Sequence, residues 1–213
     1  MLSSPEYRSL KNACAVLGQG PDYRDYDYVR NLQTTALDFQ LKVATVNKAL
    51  DWYKAHHWHE MRTHADLLAF LKAHPNTKSG NLIAANILWS NRCWTRMGFL
   101  RAVVKYFDRR GVRDIKTLRA WARESTYDSD VTGLIRSSHH SMGPAIYNWL
   151  LLRVGIPTIK PDLHVCRFVE RHIGRRPTTD ETVAALVRCA KELRREPHEL
   201  DAAIWHHQKS GNA

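Results

Sequence analysis

Residues 138–172 read SHHSMGPAIYNWLLLRVGIPTIKPDLHVCRFVERH, and three features stand there in a fixed order. The first is a short turn, His140-Ser141-Met142-Gly143-Pro144. Glycine lets a backbone approach another group closely, and the fixed φ of proline suits the first position of a helix. Exposed amides at such a helix start suit a phosphate. The second feature is an apolar helix through Ile146, Leu150 and Val154, ended by Gly155 and Pro157. The third is a loop, Ile156-Pro157-Thr158-Ile159-Lys160-Pro161, which delivers Asp162 to the start of a further helix carrying Val165, Phe168 and Val169. A carboxylate at that place caps the helix and is favoured by its dipole. On capping statistics alone, the cap is the simpler account of Asp162.

Outward from this stretch the chain reads as helix after helix. Thr63 and Asp66 form a capping box before Leu67, Leu68, Phe70 and Leu71, and Pro75 stops that helix. Leu82, Ile83, Ile87 and Leu88 mark a second helix, and Phe99, Leu100, Val103, Val104 and Phe107 a third, ended near Gly111. Thr178 and Glu181 open a helix with Val183, Leu186, Val187, Ala190 and Leu193. The segment 20–60 reads as one long helix or two. No alternating strand pattern, internal repeat or Gly/Ser linker breaks the series. The expectation is a single all-α unit over 1–213, with helices in two lobes around a cleft. It comprises N-terminal helices over 1–75, a core over 76–175 and C-terminal helices over 176–213. Within the core lie the hairpin of 138–155 and the loop of 156–162.

The charge is unevenly spread. The net formal charge is +11, yet residues 1–60 balance seven basic against seven acidic side chains. Residues 61–160 carry 16 basic and 6 acidic, and residues 161–213 carry 9 and 8. A basic block between neutral flanks is the footprint of a surface that meets a polyanion, most often nucleic acid. Arg96, Arg101, Lys105, Arg109, Arg110, Arg113 and Arg136 supply it. The hydrophobic share of 44 % and charged share of 25 % are those of a globular protein, which excludes a disordered tail and a fibre. No apolar run approaches a membrane span, and the first residues lack the apolar core of a signal peptide. The expectation is therefore a cytoplasmic, monomeric protein without a membrane partner.

Several chemistries are not signalled. GxSxG, GxxxxGK[ST] and GxGxxG are absent, so neither a nucleophile elbow nor a phosphate cradle is indicated. The histidine-rich run over 56–64 reads HExxxH, not the HExxH of a helical zinc site, so its histidines read as solvated or facing nucleic acid. His139–His140 and His206–His207 are adjacent pairs, and neighbours on a helix point about 100° apart. Cys14, Cys93, Cys166 and Cys189 are far apart without a CxxC pair, which reads as buried free thiols. The expectation is no metal and no cofactor.

The order hairpin–helix–loop–aspartate–helix resembles the helix-hairpin-helix DNA glycosylase superfamily, to which endonuclease III and the adenine glycosylases belong. Asp162, His164, Val165 and Arg167 fall where that family has its catalytic aspartate and the His-Val-x-Arg helix after it. NLIAANILWSNRCWTRMGFL, residues 81–100, is similar to the family's early core helix and following turn. There are departures. The family hairpin LPGVG keeps only its last glycine here, Gly143, and Ala145 stands where bifunctional members carry a lysine. Without an amine there, no Schiff base forms at that site. The cluster cysteines of some relatives are absent too.

The resemblance implies a monofunctional DNA glycosylase that flips a modified or damaged base out of double-stranded DNA, hydrolyses its N-glycosidic bond and leaves an abasic site. Base-excision repair and defence against modified phage DNA are both compatible with it. Asp162 would stabilise the oxocarbenium-like transition state and orient water. Lys160 would assist electrostatically or contact phosphate. Met142, Gly143 and Ala145 would grip the backbone through their amides, with Arg96 and Arg136. Flipping costs about a few kcal/mol, and stacking on an aromatic returns about 1–3 kcal/mol per base. Trp89, Trp94 and Tyr147 are the candidate pocket walls. Trp149 is a fourth candidate, although its apolar neighbours make core packing the simpler account of it. Asn91 resembles the wedge that fills the gap left by the base, with Arg92 against the opposite strand. Two alternatives stay open: a catalytically inactive helix-hairpin-helix DNA-binding module, and a bifunctional glycosylase/lyase using Lys160.

Overall fold

A computed structural model describes residues 2–38 and 41–211. Those residues form eleven α-helices, and no β-strand occurs among them beyond one isolated bridge. In chain order the helices are α1 (Ser4–Ala15), α2 (Tyr28–Leu37), α3 (Val43–His56), α4 (His64–Ala73), α5 (Lys78–Trp89), α6 (Trp94–Arg109), α7 (Ile115–Glu124), α8 (Pro144–Arg153), α9 (Leu163–Ile173), α10 (Thr179–Glu192) and α11 (Pro197–Ser210). The all-α expectation holds. The segment 20–60 carries two helices, α2 and α3; residues 39 and 40 lie outside the described residues.

The helix starts follow capping chemistry. Thr63 and Asp66 close a capping box on α4, and Thr178 and Glu181 one on α10. Ser3 with Glu6 and Asp114 with Thr117 do the same for α1 and α7, signals the apolar spacing does not bring out. Asp162 caps α9, and Gly155, at φ +83°, follows α8 in the left-handed conformation that favours glycine.

The chain folds into two compact units. One is Asp25–Ile146. Within it α5 packs along α6, with α2 against α6 and α3 against α5 and α2. Leu32, Tyr53, Leu67, Leu88, Trp89, Phe99 and Phe107 are among its fully enclosed side chains. The other unit joins Met1–Arg24 to Tyr147–Ala213. There α9 is packed by α1, α10 and α11. Leu10, Phe168, Leu186, Leu200 and Ile204 fill that core, each worth about 1.5–3 kcal/mol of burial. Helix α8 starts in the first unit and continues into the second.

Candidate functional site

The turn of the hairpin, residues 138–146, belongs to the unit Asp25–Ile146. After a π-helical turn, Tyr127–Val131, the chain folds back on itself through an antiparallel bridge between Arg136 and Ser141. Ser137 N donates to His140 O at 2.7 Å, and Met142 N to Ile135 O at 2.9 Å. Two expectations change here. The Met142 amide is committed to Ile135, and its side chain is buried, so it has no donor to offer a phosphate. Arg96 is only 7 % exposed and points its guanidinium at the His140 ring, 2.8 Å from Nε2. It braces the hairpin from inside rather than reaching outward. Burial first, then the Arg96 cation, holds the His140 pKa below the usual histidine value. That keeps a ring lone pair for Arg96.

Gly143 and Ala145 flank the first residue of α8. Proline at the first position of α8 has no N–H, and the Ala145 and Ile146 amides in the first turn lack intrahelical acceptors. A Cβ built on Gly143 would meet nothing within 4 Å, and its φ is not left-handed. So nothing in this chain's own packing demands glycine there. Arg136 is exposed. Arg101, counted with the basic surface from sequence, is structural instead. It donates from Nε to Asn81 Oδ1 (2.7 Å), from Nη2 to His74 O (2.7 Å) and from Nη1 to Leu71 O, closing the C-terminus of α4.

The proposed pocket walls separate sharply. Trp89 is 1 % exposed and donates from Nε1 to Gln33 Oε1 at 2.8 Å, so it is core. Tyr147, in the other unit, is buried as well. Trp94 is half-buried, with Lys78 Nζ 5.6 Å from its ring centroid and the His139 ring edge-on at 4.7 Å. The turn between α5 and α6 holds Ser90 at φ +50°. Asn91 Oδ1 there accepts the Cys93 amide at 3.0 Å, while Arg92 is exposed. Arg92 also edges a shallow depression lined by Leu82, Ile83, Asn86 and Ile87. His64, read as solvated or facing nucleic acid, is buried between the Tyr28 hydroxyl (3.0 Å) and Asp108 (3.2 Å).

The Asp162 constellation lies wholly in the unit formed by residues 1–24 and 147–213. Two prolines shape the loop before it, and Pro161 is buried. The Thr158 hydroxyl bonds Asn148 Oδ1 of α8 at 2.6 Å, and Asp162 N donates to Lys160 O at 2.8 Å across Pro161. Asp162 Oδ1 accepts two amides, His164 N (2.9 Å) and Val165 N (3.1 Å). Oδ2 faces the Lys160 ammonium at 3.9 Å, and the carboxylate side chain is 19 % exposed. The same ammonium stands 4.8 Å from the Trp149 ring centroid, and Tyr23 meets that ring edge-on at 5.3 Å. Trp149 Nε1 is buried without a partner. Trp149, whose apolar neighbours favour a core role, thus shares the Lys160 ammonium with the carboxylate. Behind the loop, Asp201 Oδ1 of α11 accepts the Lys160 amide at 2.7 Å. Burial pushes the Asp201 carboxyl up to about 7. Neither Tyr23 nor Asp201 was visible as a site residue in the sequence: each lies more than 35 positions from Asp162.

No group of three or more His, Cys, Asp or Glu that could hold a metal occurs among the described residues. The four cysteines are free, with Cys14 and Cys189 buried and Cys93 and Cys166 partly so. No described helix is long and apolar enough to cross a membrane.

No curated protein and no solved structure matches this chain. One family model does, over residues 29–209, a span that takes in the hairpin, the loop, Asp162 and Asp201. On that match the chain belongs to the family described as "Domain of unknown function (DUF8548)".

Proposed function

We propose that this protein is a monofunctional DNA glycosylase of helix-hairpin-helix type, acting on a modified or damaged base. The observation that carries the reading is the division of labour within the Asp162 carboxylate. One oxygen is fixed by two amides at the start of α9; the other faces the Lys160 ammonium, which also lies against an indole, and the side chain is partly exposed. Cleavage of an N-glycosidic bond builds positive charge on the sugar. A carboxylate held rigidly by backbone donors stabilises that charge without reorganising as it forms, and its free oxygen can orient the water. Trp149 offers a face on which an extruded base could stack once Lys160 yields its place. Arg136, Arg92 and the first-turn amides of α8 supply phosphate contacts, which carry affinity without sequence information.

The test is base release. The protein is incubated with DNAs bearing alkylated, deaminated, oxidised and hypermodified bases, and abasic sites are counted. Release from one substrate class, abolished in Asp162→Asn, is the expected result. Binding without release from any of them would leave a DNA-binding module whose aspartate is only a cap, a reading its two amide bonds also satisfy.

A further inference from the structure

Asp201 is the only buried carboxylate among the described residues, at 3 % exposure. Its neighbours along α11, Leu200, Ala202 and Ile204, are fully enclosed. A carboxyl there is costly, and an apolar side chain of similar volume would pack without that cost. Its bond to the Lys160 amide is what the position gains. That amide has few other options. Pro157 and Pro161 carry no N–H, and no helix or strand of the described residues continues through the loop. Side chains tie the loop from Thr158 to Asn148 of α8 and from Lys160 to Asp201 of α11.

We propose that Asp201 is a positioning residue for the Asp162 loop: from α11 it fixes the Lys160 backbone, and through it both the Lys160 ammonium and the carboxylate two residues on. Only Pro161, rigid and buried, separates the tied amide from Asp162. The Lys160 carbonyl accepts the Asp162 amide, so a shift of one is passed to the other. Lys160 and Asp162, both from the loop, are the charged groups that act on Asp201; the lysine favours its ionised form and the aspartate opposes it. The structural half of this inference stands by itself. Its catalytic half rests on the glycosylase reading of Asp162.

The experiment is amide hydrogen exchange at Lys160, followed by NMR in the full-length chain, for the wild type, Asp201→Asn and Asp201→Leu. In the wild type the Lys160 amide is expected to be protected. Asp201→Leu, which removes the acceptor but keeps the branched shape, should speed its exchange about tenfold or more while amides in α9 and α10 hold their rates. Asp201→Asn, which keeps an acceptor oxygen, should retain the protection. Asp201→Ser, whose hydroxyl is too short to reach, carries the same expectation as leucine should the leucine variant fail to fold. Unprotected Lys160 in the wild type, or protection unchanged in leucine and serine variants, would overturn the proposal. On a DNA from which the wild type releases base, Asp201→Leu should lower kcat with binding unchanged, and Asp201→Asn should restore most of it. Weakened binding with unchanged kcat would overturn the catalytic half. If no DNA releases base, the glycosylase reading fails while the exchange result still decides whether Asp201 holds the loop.

Discussion

Lys160 Nζ stands 3.9 Å from Asp162 Oδ2, on the side of the carboxylate that α9 does not use. The other oxygen is bound to His164 N and Val165 N, so the cap and the proposed chemistry fall to different atoms of one residue. Substitution can therefore separate them. Asparagine caps a helix about as well as aspartate, whereas alanine costs about 0.5–2 kcal/mol. Asp162→Asn should melt within about 0.5 kcal/mol of the wild type, and Asp162→Ala should be less stable by roughly 1 kcal/mol. Neither should release base. Thermal melts set beside an abasic-site assay check this, and full activity in Asp162→Asn would remove the carboxylate from the mechanism.

The surroundings of Lys160 bear on lyase chemistry. A Schiff base needs an amine free to attack the sugar carbon, and Lys160 Nζ is engaged by the Asp162 carboxylate at 3.9 Å and by the Trp149 ring at 4.8 Å. Borohydride added during reaction with a cleavable DNA should trap no covalent protein–DNA adduct. An adduct lost in Lys160→Met would instead establish the lyase reading.

Much of the fold was legible because helix ends are written locally. Thr63 with Asp66, Thr178 with Glu181, Pro144, Gly155 and Asp162 all occupy the helix-end positions their chemistry predicts. The candidate site was legible only where it is also local, in the loop and the α9 cap. Tyr23, Trp149 and Asp201 meet that loop or one another only through tertiary contacts, across separations that spacing rules cannot read. The basic block misled in detail for the same reason. Sequence counts charges but not their direction, and Arg96, Arg101 and Arg153 turn inward onto a ring or onto carbonyls.

Two glycines should behave in opposite ways. Gly143→Ala places its methyl in open space at an ordinary φ, so stability should hold or rise slightly. Affinity for duplex DNA should fall, because the methyl stands where a phosphate would approach the α8 amides. Gly155→Ala must adopt φ +83°, which costs an L-residue about 1–2 kcal/mol, and should lower the melting temperature. Denaturation curves with DNA-binding isotherms check both. Unchanged affinity in Gly143→Ala would remove the hairpin from the DNA interface.

Inward and outward arginines should part company too. If about 6–10 phosphates are contacted, affinity should drop by roughly 10³–10⁵ between 50 and 200 mM salt. Arg136→Gln should weaken binding and reduce the salt slope by about one. Arg101→Gln should instead destabilise the fold by about 1–3 kcal/mol, since it strips donors from the Leu71 and His74 carbonyls. Salt titrations of binding, paired with urea midpoints, distinguish the two.

The buried acid on α11 gives stability an uncommon pH dependence. Asp201 is raised from the ordinary 3.8 to about 7 in the folded chain. Between those values the folded state holds a proton that the unfolded state has released. The proton balance therefore makes this contribution fully present below about pH 4 and lost as pH rises through about 7. The shift corresponds to roughly 4 kcal/mol at 1.36 kcal/mol per unit, an upper bound because α11 can relax and admit water. Carboxylates held low act in the opposite sense: Asp22, paired with Arg24, is drawn down to about 2, so its contribution is lost only as pH falls from about 4 towards 2. Asp201→Asn cannot titrate, so its urea midpoint should vary less than the wild type's from about pH 4 to about 8. Two coincident profiles would mean that Asp201 ionises in the folded chain near its ordinary value, with the Lys160 amide and ammonium stabilising the charge in full.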